Sequence, residues 1–311
     1  MDRGTEREQL LYKVAKAYYD DDETQQAISE RFGVSRVKVC RLLKQARDEG
    51  FVSISIHGPG GDTAELEREL AARYGIRESI IVENSGGDVA ASVGTAAAAY
   101  FTRIVQEGQT VALSWGKSLL AFVNALEPVS VADVRVVQML GGLGDSDADV
   151  HGAELARRMA QRLGTKPRLL QAPGVVSSRE VRDALLSDAQ ISETLDAARK
   201  ADVALIGIGT LDDASLLRGT SIISAAELSA LSRSGAVGDA ALRFFDAQGK
   251  WVPSGTDDRG IGLNLDEIRR ISRRVAIAWG SHKIAAIRGA LLGGLVSTLI
   301  TDTEAAKGLL E

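Results

Sequence analysis

From about residue 6 to residue 50 the apolar positions recur three times at helical spacing, and the pattern then switches to alternation. Leu10, Leu11, Val14, Ala17 and Tyr18 share one side of a helix expected from about Glu6 to Tyr19. A second helix starts at Thr24, whose hydroxyl can cap free backbone N–H groups, and directs Ala27, Ile28 and Phe32 toward a small core. Gly33 supplies a turn. Ser35 then caps a third helix, in which Val39, Leu42 and Leu43 form the buried stripe, and Gly50 ends it. Phe51 to Ile56 (FVSISI) alternates apolar and small polar residues, which predicts a half-buried strand, either a wing or a strand leading out of one.

The next segment, His57 to Asp62 (HGPGGD), has the Gly and Pro density of a linker. After it, Thr63 to Tyr74 predicts a helix with Leu66 and Leu70 on one side, suited to connection or oligomerisation. Beyond Gly75 short apolar runs alternate with helical patterns. Strands are expected at Ser79 to Val82, Thr110 to Leu113, Arg135 to Leu140, Lys166 to Gln171, Val203 to Ile208, Arg243 to Phe245, Arg274 to Ala278 and Leu295 to Ile300. Helices are expected at Val89 to Ile104, Lys117 to Leu126, Ala153 to Leu163, Ser177 to Leu186, Ile191 to Lys200, Leu265 to Ile271, Lys283 to Leu292 and Glu304 to Leu310. Strands followed by helices of such length predict a largely parallel, doubly wound α/β sheet. The organisation read from the chain is therefore an N-terminal domain at 1–56, a linker at 57–62 and a large α/β domain at 63–311.

Composition agrees with that division. With 311 residues, 45% of them apolar and only 5% aromatic, the large domain can bury a core of Ala, Val, Leu and Ile, and its share of the 32 glycines suits many tight strand-to-helix turns. The net charge of −5 argues against nucleic-acid binding only if charge is evenly spread. It is not. Residues 1–56 hold ten basic and ten acidic side chains, yet the six basic residues from Arg31 through Arg47 are interrupted by no acid. On the third helix this strip predicts a DNA-reading device, with Ser35, Arg36 and Lys38 at the helix start and Arg41, Lys44 and Arg47 further along. Arg36 and Lys38 are the candidates for base edges, and Arg41, Lys44 and Arg47 for phosphates.

Cys40, the sole cysteine, excludes an intramolecular disulfide and a multi-thiolate metal site. The N-terminus has no apolar signal-peptide core, and no run of 18 or more apolar residues occurs, so a soluble cytoplasmic protein without membrane partners is expected.

In open α/β sheets ligands bind at the carboxyl ends of strands. Four polar or glycine-rich segments fall there. Leu113 to Ser118 (LSWGKS) opens a helix, with Gly116 permitting close approach, Ser118 offering a hydroxyl and Lys117 adding a cation. Gly141, Gly142, Leu143, Gly144 and Asp145 end the strand VRVVQML. Gly207-Ile208-Gly209-Thr210 ends another, and Gly238-Asp239 is considered together with Gly280-Ser281-His282-Lys283. Four such loops in one domain favour a small polar ligand. Neither a dinucleotide fingerprint nor a Walker lysine pattern is present, and no cofactor or metal is expected.

Taken in order, the segments TQQAISERFGVSRVKVCRLLKQARDEGFVSISI, WGKSL, QMLGGLGD, ADVALIGIGT, GAVGDAALRFFDAQG, RGIGL and HKIAAIRGALLGGLVSTLITDTEAAKGLL resemble the SorC family of bacterial sugar-binding transcriptional regulators. The resemblance covers essentially the whole chain. It implies an all-α winged helix-turn-helix domain preceding an α/β effector domain of the kind shared with sugar-phosphate isomerases and glucosamine-phosphate deaminases, assembled as a homotetramer, a dimer of dimers. It also implies an effector pocket built from Gly141 to Gly144, Asp239 and Lys283, with the WGKS loop at Ser118 nearby; Gly116 and Gly209, from their strand-end positions, are further effector-binding candidates. Lys283 and backbone N–H groups would hold a phosphate, while Asp239 would accept hydrogen bonds from sugar hydroxyls. Family members generally carry Ser where this chain has Cys40, and two glycines where it has Trp279-Gly280.

The expected function is a transcriptional regulator whose affinity for double-stranded operator DNA is set by a sugar, polyol or sugar phosphate. Two alternatives stand beside it: a sugar-phosphate isomerase-type enzyme carrying a DNA-binding domain, and a constitutive DNA-binding oligomer. Catalysis needs a positioned titrating pair. With three histidines, His57, His151 and His282, the chain offers little for it, and no catalytic residue is expected.

Overall fold

A computed structural model describes residues 3–53, 63–84, 86–142, 151–212, 215–219 and 223–311. The chain divides into two compact units, Met1–Pro59 and Gly60–Glu311.

The smaller unit contains α1 (Arg3–Tyr19), α2 (Gln25–Phe32) and α3 (Arg36–Asp48). Both expected caps form: Thr24 Oγ1 accepts from Ala27 N at 3.2 Å, and Ser35 Oγ accepts from Lys38 N at 3.2 Å. Gly33 joins the helices with φ +65°, a left-handed conformation that a β-carbon makes costly. Leu11, Val14, Ile28, Val39, Leu42, Leu43 and Ala46 close a core among the three helices. The strand expected at residues 51–56 is not seen where it can be tested. Phe51–Ser53 are irregular because Val52 N donates to Ala46 O, folding the segment back onto the end of α3, and residues 54–56 lie outside the described residues.

In the larger unit α4 (Thr63–Tyr74) precedes a seven-stranded, wholly parallel sheet in the order β1-β9-β8-β5-β2-β3-β4. Its strands are β1 (Glu78–Val82), β2 (Thr110–Leu113), β3 (Arg135–Gln138), β4 (Pro167–Arg168), β5 (Val203–Gly207), β8 (Arg273–Ile277) and β9 (Thr298–Asp302). Side chains alternate across a strand, so each strand feeds two cores. Ala112, Val137, Ala204, Ile206, Ala276 and Leu299 enter one, whereas Val111, Leu113, Val136, Leu205, Val275, Ile277 and Ile300 enter the other. Helices α5 (Val89–Ile104), α6 (Lys117–Ala125) and α7 (Gly152–Arg162) cover the second core, and α8 (Arg179–Leu186), α9 (Ala189–Arg199), α10 (Ala225–Arg233), α11 (Leu265–Arg270), α12 (Ile284–Leu292) and α13 (Thr303–Leu310) pack on the first. The sheet is therefore doubly wound.

The segment expected as a strand at Arg243 to Phe245 does form one, β7 (Arg243–Asp246), but it pairs antiparallel with β6 (Ala236–Ala240) in a separate two-stranded ribbon. The ribbon touches the main sheet's loops through Gly209, which exchanges backbone hydrogen bonds with Asp239 at 2.9 and 3.1 Å. Among the described residues no helix is long and apolar enough to cross a membrane.

Candidate functional site

The sheet order sets β8, β5 and β2 side by side, and the loops at their carboxyl ends enclose a cavity of about 280 Å³. Trp115, Gly116, Lys117 and Ser118 come from the loop after β2, Gly207 to Thr210 from the end of β5, and Trp279, His282 and Lys283 from the loop after β8. The ribbon adds Asp239 and Ala241, and the segment after β5 adds Ser215, Leu216 and Leu217. The fold thus brings together Gly116, Ser118, Gly209, Asp239 and Lys283.

Each wall has a local reason for its shape. Gly116 takes φ +113° at the N-cap of α6 and provides no side-chain cap, so the first amide N–H groups of that helix stand at the cavity with the positive end of its dipole. Gly209 is required by proximity, since a β-carbon there would sit 2.0 Å from Asp239 Oδ1. Gly280, at φ +90°, turns the chain after β8 and donates its N–H to Asp302 Oδ1 at 3.2 Å. Asp302 also accepts from Ala305 N at 3.0 Å, capping α13, and from Asn84 Nδ2 at 3.0 Å.

Asp239, buried, and Lys283, half-buried, face each other's charge in the cavity. Asp239 is 5% exposed, and burial pushes its carboxyl up to about 6, against a backbone hydrogen bond from Leu242 N and the attraction of Lys283. Burial likewise lowers the Lys283 amine, and Asp239 and Asp212 pull it back up. The amine donates to Ile208 O at 2.8 Å, which leaves two of its three N–H bonds for another acceptor. A buried acid and a half-buried amine on one cavity, beside an uncapped helix N-terminus, present both an acceptor for hydroxyls and a cluster of donors for an anion. Trp115 and Trp279 add flat apolar surface.

Gly141 and Gly142 fall elsewhere. Gly141 N donates to Ile261 O at 3.0 Å and Gly142 N to Ala172 O at 2.8 Å, so neither amide is free to meet an anion. A β-carbon on Gly141 would lie 2.6 Å from Ala172 O and Pro173, which makes this a packing glycine. Leu143 and Gly144 lie outside the described residues. Sequence reasoning did not pick out Ser215, Leu216 and Leu217, which follow no strand end predicted there, or Ala241, whose methyl side chain carries no sign of a ligand role although it lies two residues after Asp239.

On α3, Ser35, Arg36, Lys38, Arg41, Lys44 and Arg47 are all exposed, and no ion pair among the described residues engages the five cations. Arg31 differs, being paired with Glu23. Ser35 spends an oxygen lone pair on its cap and keeps its O–H.

Residues 59–311 match the Sugar-bind family of sugar-binding domains. The chain belongs to the SorC family of sugar-binding transcriptional regulators. It is 34% identical to the deoxyribonucleoside regulator of Bacillus subtilis, covering 99% of both chains, and 31% identical to the transcriptional regulator LsrR of Klebsiella pneumoniae, covering 97% of this chain and 93% of that one. The crystal structure of the full-length sorbitol operon regulator SorC from Klebsiella pneumoniae superposes with a TM-score of 0.78 at 26% identity, covering 97% of this chain and 99% of the other.

Proposed function

We propose that the smaller unit is a winged helix-turn-helix that binds operator DNA, and that a sugar, polyol or sugar phosphate in the cavity of the larger unit controls how tightly it does so. The observation that carries the effector half is the meeting of Asp239, Lys283 and the uncapped start of α6 on one cavity. Asp239 accepts from ring or chain hydroxyls; Lys283, Lys117 and the α6 amides hold a phosphate; Trp115 and Trp279 pack against the carbon skeleton. The DNA half is supported by a capped helix whose exposed cations form no ion pair among the described residues. The working assembly is a cytoplasmic homotetramer, and the cavity binds its ligand without turning it over.

Fluorescence-anisotropy titrations of the intact protein against its own genomic fragments, with and without a panel of pentose, hexose and polyol phosphates and their unphosphorylated forms, test both halves. At least one member is expected to change the affinity for a preferred fragment, and Asp239→Ala and Lys283→Ala should each abolish that response while leaving DNA binding intact. A preferred fragment whose affinity no member changes overturns effector control. Absence of any preferred fragment overturns the regulator itself.

A further inference from the structure

The surface of α3 that faces away from its core does not begin with a cation. At about 100° per residue, Val37, Cys40, Arg41 and Lys44 make one ridge opposite the buried stripe Val39, Leu42, Leu43 and Ala46, while Arg36 and Lys38 stand to either side of Val37. Val37 is 64% exposed, the most exposed of the large apolar side chains among the described residues. It is also β-branched in the first turn of a helix, which local helix propensity does not favour. An apolar protein partner is a poor fit to this spot, because covering Val37 would strip water from Arg36, Lys38, Arg41 and Lys44 with nothing to compensate them. A duplex major groove fits it. Phosphates at the rim meet the cations, and the floor carries one apolar group, the C5-methyl of thymine.

We infer that Val37 reads a thymine methyl group and is a specificity-determining residue of the DNA interface. The inference rests on the DNA-binding reading above. It moves Arg36 and Lys38 from the centre of the contact to its flanks, where their reach suits neighbouring base edges or backbone.

Replacing thymine by deoxyuracil removes the methyl and nothing else, so it isolates this contact. The full-length protein is first used to select preferred duplexes from a random pool, and each thymine of the consensus is then replaced in turn by deoxyuracil. For the wild type one position per half-site is expected to weaken binding by roughly fourfold, the order expected for losing one buried methyl. Val37→Ala and Val37→Ser should bind the thymine duplex more weakly by a similar factor and show no further loss with deoxyuracil, while their affinity for unselected duplex stays that of the wild type. Insensitivity of the wild type to deoxyuracil at every position, or the same sensitivity in Val37→Ala, overturns the inference and leaves DNA binding standing. Failure to enrich any duplex refutes both, and is a distinct result.

Discussion

Asp239 and Arg41 stand at opposite ends of what a charged side chain can do in this protein. Asp239 is buried, and its carboxyl titrates near 6 against an ordinary value of 3.8, so between about pH 4 and pH 6 the folded state holds a proton that the unfolded state has released. Stability of the larger unit is therefore fully favoured below pH 4 as far as this group is concerned, and declines as pH rises through 6. The loss approaches about 3 kcal/mol if nothing else titrates with it. Asp239→Asn should remove that slope and be the more stable protein at pH 8, as measured by urea unfolding across the range; coincident pH profiles for the two proteins would assign the slope to other groups. A native carboxylate kept at such cost points to use, since the same burial makes it a strong acceptor once a ligand hydroxyl reaches it. Arg41 is exposed, and no carboxylate among the described residues pairs with it. Replacing it with Ala should weaken preferred and random duplex alike and flatten the dependence of log affinity on log salt by about one. A change confined to base preference would instead make Arg41 a reader of sequence. Both residues stood out in the sequence, Arg41 through an acid-free basic strip and Asp239 through the Gly238-Asp239 pair and then the resemblance to a family motif. Neither the burial of Asp239 nor the backbone bridge that holds it against Gly209 was visible there, because both depend on the ribbon meeting a loop that lies far from it in the chain.

Where periodicity was strong and both ends were marked, elements could be placed from sequence to within a residue or two. Val89–Ile104 and Thr110–Leu113 form as expected, the helix opened by Asp88, which caps Ala90 N and Ala91 N at 2.9 and 3.2 Å. Weak pattern produced the differences. The run expected as a strand from Lys166 to Gln171 pairs only at Pro167–Arg168, an edge position where proline's missing N–H does least harm. The strand Ala236–Ala240, sequence AVGDA, has too few large side chains to show alternation, and Ala225–Arg233, opened by a capping box at Ser224 and Glu227, buries only Leu228 and Leu231 and so shows little helical periodicity. Asp302 shows how elements cooperate to shape the cavity. Ending β9, it caps α13 and fixes Gly280, hence the loop that delivers Trp279 and Lys283. Asp302→Ala should cost about 1–2 kcal/mol of stability, in keeping with a lost helix cap, and weaken effector binding several-fold. Asp302→Asn keeps one oxygen acceptor and should recover much of both. Equal ligand affinity in Asp302→Ala and wild type, by calorimetry, would show that the loop holds its shape unaided.

A sequence can nominate strand-end loops but cannot say which of them are neighbours, because strand order is a property of the whole sheet. Here β8, β5 and β2 lie adjacent although they are far apart in the chain, and that order selects three of the nominated loops. The glycine-rich segment after β3 is one strand further out, stitched by Gly141 and Gly142 to Ile261 and Ala172. Control of DNA by a ligand then requires two states of the protein with unequal affinity for each, since a ligand that binds both states equally shifts nothing. Linkage makes this a quantitative demand on the intact protein. If an effector lowers operator affinity by a factor α, operator DNA must lower effector affinity by the same α, whichever residues carry the coupling. Calorimetric titration of effector into the free protein and into the protein saturated with a preferred duplex yields one estimate of α, and duplex titrations with and without effector yield the other. Equal factors, on the order of 5 to 150, are expected for an allosteric regulator. An effector that loosens the duplex while the duplex leaves effector affinity untouched would mean that the ligand acts on the DNA itself and not through the protein, and the cavity at β2, β5 and β8 would lose its assigned role.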